Sequence, residues 1–325
     1  MGASRSTRRV RVASVLTTVV LTAVMIAAMF VAPAVASNKT RLVSGLAGGS
    51  GSTVGQDGAL YVTEGFAGRV SRVDPHTGAV TTFASGLPPS IVGIGGAIDV
   101  VFKGGTAYVL VTLVGPDVGG SDVVGIYRVD DPTHFTVIAD IGAFALAHPP
   151  TTSFFVPTGV QYAIESIRDF FLVTDGHHNR VYRVTLDGRV TERITLGNVV
   201  PTGLEVRHGI RYVALAGPVP HRPEHGRIVR FRPWSRAVTE VARGGRLLVD
   251  VEFGAGRLFA LAQGRFTPGN PDGSPADPNT GKLLRVDGGG FTAVSWRLDR
   301  PTSLEFIDGD AYVVTITGEI WKIDI

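Results

Sequence analysis

Two short segments of the chain share an unusual content of histidine and carboxylate side chains. Their members are Asp175, His177, His178 and Asn179 in the first, and His221, Glu224 and His225 in the second. Imidazole together with carboxylate is a donor set that suits zinc and similar ions. A shared site would need both segments to lie on one face of the fold. The alternative is that the histidines are solvated and that the Asp and Asn side chains only shape a turn.

Isolated acids form a second candidate set. Glu64 ends the apolar segment "ALYVTE", whereas Asp99 and Asp250 interrupt "AIDVVF" and "LVDVEF". Carboxylate oxygens from several converging segments suit calcium. We therefore predict a calcium site of Glu64, Asp99 and Asp250 as one possibility, with no cofactor otherwise indicated.

Several common chemistries have no signature here. The chain has no cysteine, which excludes a thiolate nucleophile, thiolate metal sites and disulfides. A Gly-x-Ser-x-Gly elbow, a Walker loop and a dinucleotide fingerprint are also missing from the sequence. The sequence therefore signals no chemistry beyond these candidate sets.

The elements that would position these residues come from a repeat. A seven-residue phrase recurs six times with a basic residue at its fifth position: "GRVSRVD" (68–74), "VGIYRVD" (124–130), "NRVYRVT" (179–185), "GRIVRFR" (226–232), "GKLLRVD" (281–287) and "GEIWKID" (318–324). Alternation of apolar and polar positions is typical of a half-buried strand. One basic residue at the same position six times indicates common packing and not six catalytic sites.

Each phrase is the third member of a four-strand unit, with strands A to D. Two apolar segments precede the phrase and one follows it, and the turns between them are rich in Gly, Asp and Asn. The sixth unit lacks its fourth strand, but "TRLVSGL" (40–46) near the other end resembles "TTFASGL" (81–87). We therefore predict an all-β fold, a six-bladed β-propeller with four antiparallel strands per blade. The N-terminal strand would complete the last blade and close the ring. A β-sandwich with accidental similarity between segments is the alternative.

Parts of the chain resemble known propeller sequences. The third unit, "FFLVTDGHHNRVYRVTLDG", resembles the NHL-type repeat. Longer stretches such as "AIDVVFKGGTAYVL" (97–110) and "VDVEFGAGRLFALAQG" (249–264) resemble the ScyD/ScyE family, exported propellers associated with scytonemin biosynthesis. The resemblance implies an exported propeller and supplies no catalytic residues. The chain departs from that family at "GGSGSTVGQ" in the first blade and at "AGPVPHRPEHG" (216–226) in the fourth.

The blade geometry places the long loops on one face. The B–C loops at 112–124, 216–226 and 263–281 and the D–A loops at 85–96 and 142–156 would surround one mouth of the central channel. Irregular loops on a rigid scaffold are where binding usually resides. The binding candidates predicted on this face are Glu64, Asp175, His177, His178, Asn179, His221, Glu224, His225 and Arg265.

Residues 1–36 have the features of a secretory signal peptide. Four arginines precede a long apolar run, and "APAVA" predicts cleavage after Ala36, although the run could also serve as an uncleaved anchor. Removing those arginines changes the net charge from +3 to −1 for the propeller domain, residues 37–325. A near-neutral body argues against nucleic-acid binding. We expect a secreted monomer that is free of the membrane after cleavage.

Two functions remain open at this stage. The first is a non-enzymatic or accessory propeller that binds a small molecule or an extracellular protein or peptide on its loop face. The alternative is a calcium-dependent lactonase or esterase-like hydrolase, as found among six-bladed propellers. Against it, threonines stand where that class has further ligands: Thr158, Thr202 and Thr302.

Overall fold

Six four-stranded antiparallel sheets provide most of the regular structure in this computed structural model, which describes residues 38–325 together with Met1 and Gly2. The predicted signal peptide and its cleavage site therefore lie almost entirely outside the described residues. Blade one contains β2 (Gly49–Val54), β3 (Leu60–Glu64), β4 (Arg69–Val73) and β5 (Val80–Ser85). Blade two contains β6 (Gly96–Lys103), β7 (Thr106–Thr112), β8 (Gly125–Asp131) and β9 (His134–Asp140). Blade three contains β10 (Gln161–Ile167), β11 (Phe170–Asp175), β12 (Arg180–Thr185) and β13 (Val190–Thr195).

The remaining blades follow the same order. Blade four contains β14 (Pro201–Arg207), β15 (Ile210–Leu215), β16 (Arg227–Phe231) and β17 (Val238–Arg243). Blade five contains β18 (Leu248–Gly254), β19 (Arg257–Ala262), β20 (Gly281–Asp287) and β21 (Gly290–Leu298). Blade six contains β22 (Pro301–Ile307), β23 (Asp310–Thr315) and β24 (Ile320–Ile323), and its fourth strand is β1 (Lys39–Val43).

The ring is closed between the two ends of the described chain. β1 pairs with β24 in antiparallel register, with Lys39 opposite Ile323 and Arg41 opposite Trp321. The innermost strands contact one another around the axis, and β22 returns to β2. The six-bladed propeller, its four-stranded blades and its N-terminal closing strand are therefore confirmed.

The second strand of each blade carries much of the core. All five residues of β3 are buried, and in both β11 and β23 every residue after the first is buried. A strand that is covered on both faces has a nearly continuous run of apolar residues in its sequence, as in "ALYVTE" and "TAYVLV". Successive sheets thus pack through apolar side chains around the whole ring.

The basic residue of the repeated phrase has a packing role. It lies across the sheet from an aromatic residue of the second strand in five blades: Arg72 with Tyr61, Arg128 with Tyr108, Arg230 with Tyr212, Arg285 with Phe259, and Lys322 with Tyr312. Directly opposed side chains of this kind are the unit of sheet stabilisation. The recurrence of the phrase is thus explained by cross-strand packing.

One loop differs from its prediction. The D–A connection expected at 142–156 begins with a two-turn helix, α1 (Ile141–Ala147), whose first turn is capped when the Ala143 N–H donates to Asp140 Oδ1 (2.7 Å). Short 3₁₀ helices occur at Pro116–Val118 and Pro223–His225. Among the described residues, none of the helices has the length and apolar character needed to cross a bilayer.

Removal of the closing strand should destabilise the ring. A chain starting at residue 44 loses β1 and the buried Val43, and it exposes the edge of β24. Burial of Val43 alone contributes about 1.5–3 kcal/mol. We expect a lower unfolding temperature for this chain than for one starting at residue 38, measured by circular dichroism. A synthetic peptide of residues 38–48 should raise it again in a concentration-dependent manner. Equal unfolding temperatures for the two chains would contradict the role of β1.

Candidate functional site

A funnel of about 800 Å³ opens on the face that carries the B–C and D–A loops. Its rim is apolar and includes Phe66, Val92, Ile94, Phe155 and Val219. Phe155 is 67% exposed and stands at the rim without closing the channel. The funnel thus offers a broad apolar entrance that a ligand can reach from solvent.

A second cavity of about 380 Å³ continues along the axis beneath the funnel. Both cavities are lined by Asp99, Ala163, Asp250 and Ser303, so they meet at the level of these residues. Funnel and lower cavity together form the central channel, and Asp99 and Asp250 mark the constriction between them.

The backbone at this constriction is irregular in every blade. Each innermost strand shifts register against its neighbour, for example between Ala97 and Asp99 in β6 and between Leu248 and Asp250 in β18. Such a bulge changes the direction of the side chains and leaves some backbone groups without a hydrogen bond to the neighbouring strand of the sheet. Those groups are available for contacts between blades.

Asp99 and Asp250 occupy equivalent bulges in blades two and five, which lie opposite each other in the ring of six. Each carboxylate accepts one N–H from its own strand and one from the next blade. Asp99 accepts from Val100 and Ile164, both at 2.8 Å, and Asp250 accepts from Val251 at 2.8 Å and Leu304 at 2.7 Å. Both side chains therefore join neighbouring blades.

Side-chain hydrogen bonds link each blade to the next around the channel, so all six interfaces between blades have one. In order of the blades, the donor and acceptor atoms are Thr63 Oγ1 to Ile98 O, Thr112 Oγ1 to Gln161 Oε1, Thr174 Oγ1 to Thr202 O, Thr202 Oγ1 to Leu248 O, Leu304 N to Asp250 Oδ2, and Thr302 Oγ1 to Gly49 O. Two of the threonines that stood where calcium ligands were sought, Thr202 and Thr302, thus link blades.

Four glutamates form a second level in the lower cavity. Glu165, Glu205, Glu252 and Glu305 occupy equivalent positions of the innermost strands in blades three to six. Burial and the repulsion of neighbouring carboxylates raise the pKa of Glu165, Glu252 and Glu305 well above the usual range. Burial also raises the pKa of Glu205, which shares a hydrogen bond with Glu252. We call these four residues the glutamate ring.

Burial has the same effect on the two aspartates. It raises the pKa of Asp250 to about 7, against the opposing effect of its backbone hydrogen bonds. Burial, with a contribution from the charge of Asp250, raises the pKa of Asp99 well above its usual value. The channel therefore holds protons on carboxyl groups at a pH where exposed acids are ionised.

The predicted histidine and carboxylate loop of blade three is built into the fold. Asp175 is buried and accepts from the backbone N–H groups of Val160 and His178 and from the Tyr182 hydroxyl. Asn179 Oδ1 accepts from the N–H groups of Val199 and Val200. These contacts shape the turn, which is the alternative that the sequence left open.

The histidines of that loop are also held by their surroundings. His177 Nε2 accepts from the N–H groups of Phe155 (2.8 Å) and Val156 (3.0 Å), and burial lowers the pKa of His177. His178 is fully buried; its Nε2 bonds to Val156 O and its Nδ1 bonds to Arg180 Nη2. Burial lowers the pKa of His178 as well, which favours the neutral form of both rings at pH 7.

The blade-four segment contributes one residue to the funnel. His221 lines it, its Nδ1 donates to Gly217 O (2.7 Å), and burial lowers the pKa of His221. Glu224 is exposed, and His225 Nδ1 is buried without a hydrogen-bond partner in the described structure. Arg265 is exposed and pairs with Asp277 at 2.7 Å. Of the nine predicted binding candidates, the funnel lining includes His177, Asn179 and His221.

The structure does not bring Glu64 together with Asp99 and Asp250. Glu64 is buried in blade one, where Arg69 Nε and Nη2 donate to its two oxygens, each at 2.7 Å. Burial acts to raise the pKa of Glu64, but hydrogen bonds from Arg69, Ala47 and Ser71 outweigh it and hold the pKa below the usual value. Within residues 38–325, no group of three or more His, Cys, Asp or Glu side chains is arranged to hold a metal ion.

Sequence reasoning missed the glutamate ring. The signal was present, because an apolar residue followed by Glu recurs at the same place in "AIESI", "GLEV", "DVEF" and "SLEF". Alignment of the innermost strands by this pair, and not by the third-strand phrase, would have shown four acids at one level of the channel.

Comparisons with known proteins give the fold and no family. No family model matches the chain, and no curated protein matches it. Among solved structures, virginiamycin B lyase from Staphylococcus aureus in complex with quinupristin is 15% identical with a TM-score of 0.55, and the match covers 88% of this chain and 99% of that one. A gluconolactonase from Xanthomonas campestris is 12% identical with a TM-score of 0.59, covering 88% and 89%. The PQQ-bound aldose sugar dehydrogenase from Streptomyces coelicolor is 12% identical with a TM-score of 0.58, covering 88% and 96%.

The close approach of blade four to blade five, at Gly203 and Asp250, can be tested by substituting the glycine. A Cβ at Gly203 would lie 2.4 Å from Asp250 Cα and 2.6 Å from Asp250 Oδ1, whereas a Cβ at Gly197 would meet nothing within 4 Å. Gly203→Ala should therefore lower the free energy of unfolding by about 1–3 kcal/mol, measured by denaturant titration. Gly197→Ala serves as the control and should change it little; equal effects of the two substitutions would rule out the close approach.

The glutamate ring predicts an unusual pH dependence of stability. Because the folded pKa of Glu165 and Glu305 is raised, the folded state binds more protons than the unfolded state above about pH 4. Stability from these groups is therefore present at low pH and is lost as the pH rises through their folded pKa. The double substitution Glu165→Gln and Glu305→Gln should raise the unfolding temperature at pH 8 by roughly 2–4 °C or more.

The comparison must separate the glutamates from other titrating groups. His177, His178 and His221 titrate in both proteins, so the difference between variant and wild type isolates the ring. The gain should shrink as the pH is lowered to 5, and Glu224→Gln, an exposed control, should show no such trend. A gain that is independent of pH would contradict the raised pKa values.

Proposed function

We propose that this protein is a binding propeller that holds an organic ligand in the funnel on its loop face. The observation that carries the proposal is the open funnel of about 800 Å³, with an apolar rim above a polar floor. Cavities of this size and character are typical of small-molecule sites. A small molecule, or an end of an extracellular peptide or protein, would fit the entrance.

The polar residues of the funnel support binding better than catalysis. His177 and His221 line it, but each ring is neutral and bonds to backbone groups. Asp99 and Asp250 each accept two backbone N–H groups and hold adjacent blades together. Groups that the fold occupies in this way are poorly placed to act as a general acid or base in catalysis.

Two enzyme classes among the structural neighbours fit the site less well. A calcium-dependent lactonase is the alternative, but its predicted ligand Glu64 lies in an ion pair with Arg69. A PQQ dehydrogenase must hold a cofactor with three carboxylates. The residues that line the described funnel include four aspartates and neither lysine nor arginine, so they do not fit that group.

The proposed setting is outside the cytoplasm, and its support is the predicted signal peptide at residues 1–36. The near-neutral propeller domain supports a partner other than nucleic acid. Neither the ScyD/ScyE resemblance nor the structural neighbours identify the ligand.

A substitution that fills the funnel should abolish binding without unfolding the ring. Val92 is 47% exposed and lines the funnel, whereas Val137 is 41% exposed on the outer strand β9. We expect Val92→Trp to lose the ligands found when a fragment library is screened against wild type by ligand-observed NMR. Val137→Trp should retain them.

Two outcomes would contradict the proposal. One is a fragment screen of the wild-type domain, residues 37–325, that finds no ligand. The other is a set of ligands that bind Val92→Trp and wild type equally well. Unfolding temperatures of both tryptophan variants establish that the ring is intact in each.

A further inference from the structure

The channel is lined by acids at every level. The funnel is lined by Asp99, Asp117, Asp250 and Asp272, and the glutamate ring lies beneath it. Neither lysine nor arginine lines either cavity in the described part of the chain. A channel with acids of one sign and low-dielectric walls concentrates its field on the axis.

The basic groups that the described structure places near these acids have other partners. His177 and His221 are the histidines of the funnel lining, and both rings are neutral. Lys103 lies at the end of β6 and donates to the backbone oxygens of Ile167 and Arg168. Arg207 acts on the charge of Glu205 but stacks over the Phe253 ring at 4.4 Å. Within residues 38–325, the acids that line the two cavities therefore have little counter-charge from the protein.

The apolar rim limits the kind of ligand that could bring a positive charge to these acids. Phe66 is 49% exposed and Phe155 is 67% exposed, and both line the funnel, whereas Asp99 and Asp250 lie where the funnel meets the lower cavity. Tyr162 also lines the funnel. An inorganic ion would leave this apolar surface uncovered, and three metal ligands do not converge in the described residues. A ligand with an apolar body and one positive end matches both parts.

We propose that the funnel takes an organic cation, with an ammonium or guanidinium group on the axis near Asp99 and Asp250 and an apolar or aromatic body against Phe66 and Phe155. This inference rests on the proposed binding function and specifies its ligand class. The charged group of the ligand would meet carboxyl oxygens on the axis. Its apolar body would pack against the aromatic rings of the rim.

Proton release should accompany binding. The titratable groups that face the axis are Asp99, Glu165, Glu205, Asp250, Glu252 and Glu305 on the inner strands, with Tyr162, Asp117, His177, His221 and Asp272 above them. A cation favours the ionised form of a carboxyl group that otherwise holds a proton. The affinity for a cation should therefore increase from pH 6 to pH 8, while the affinity for a neutral ligand should not.

Dansylcadaverine is a suitable probe, because it joins a naphthalene ring to a primary ammonium group. Its N-acetyl derivative has the same ring without the charge. We expect the wild-type domain to bind the ammonium probe about tenfold or more tightly than the neutral derivative, measured by fluorescence anisotropy. Val92→Trp should weaken both probes. Calorimetry in buffers of different ionisation enthalpy should detect proton release with the ammonium probe alone.

Neutral substitutions in the channel test the assignment of the charge. Asp250→Asn combined with Glu165→Gln and Glu305→Gln should remove most of the preference for the ammonium probe and leave the neutral probe unaffected. Glu224→Gln, which is exposed and outside the funnel lining, should retain the full preference.

The failures of the two proposals are distinguishable. Equal affinity for the two probes, abolished by Val92→Trp, would overturn the cation inference and support the funnel as a binding site. Stoichiometric calcium binding that displaces the ammonium probe would also overturn it, in favour of an inorganic ion. If neither probe binds and the fragment screen finds no ligand, both proposals fail.

Discussion

The structure depends on one geometric constraint: six innermost strands must face one another around a single axis. Every blade meets this constraint with a bulge near the inner end of its first strand. The bulge frees backbone groups that the sheet can no longer satisfy, and buried groups of this kind need partners. Threonine hydroxyls and aspartate carboxylates from the adjacent blade provide them between all six pairs of neighbouring blades.

The same convergence creates the electrostatics of the channel. Side chains that would each face solvent on an isolated sheet share one narrow space when six sheets meet. Four glutamates and two aspartates are brought together there, and the fold tolerates them because burial favours their protonated form. Uncompensated acids of this kind cost stability, and natural proteins accept such costs mainly where a site requires them. The funnel above them provides the space for a ligand.

The sequence predicted the ring well and the site only in part. Blade number, strand order and closure by β1 follow from repeats that are long, ordered and locally encoded. Asp99 and Asp250 were found as unusual acids, but the structure uses them to bridge blades because each bulge turns a carboxylate toward the next strand's N–H groups. The glutamate ring was missed, because its level depends on where the bulge interrupts the alternation of each inner strand. The neutral histidines of blade three depend on distant loop backbone at Phe155 and Val156, which local sequence does not encode.

Closure by β1 has a consequence for the order of folding. Asn38 Nδ2 donates to Asp324 O across a separation of 286 residues, so the contact joins the first and last strands of the propeller. Five sheets can form from neighbouring segments, but the sixth has to wait until both ends of the chain are present and its loop-closure entropy has been overcome. Until then the outer edge of β24 stays unpaired and can recruit another strand. A ring that has not yet closed at this edge is therefore more exposed to strand exchange between molecules than the closed ring.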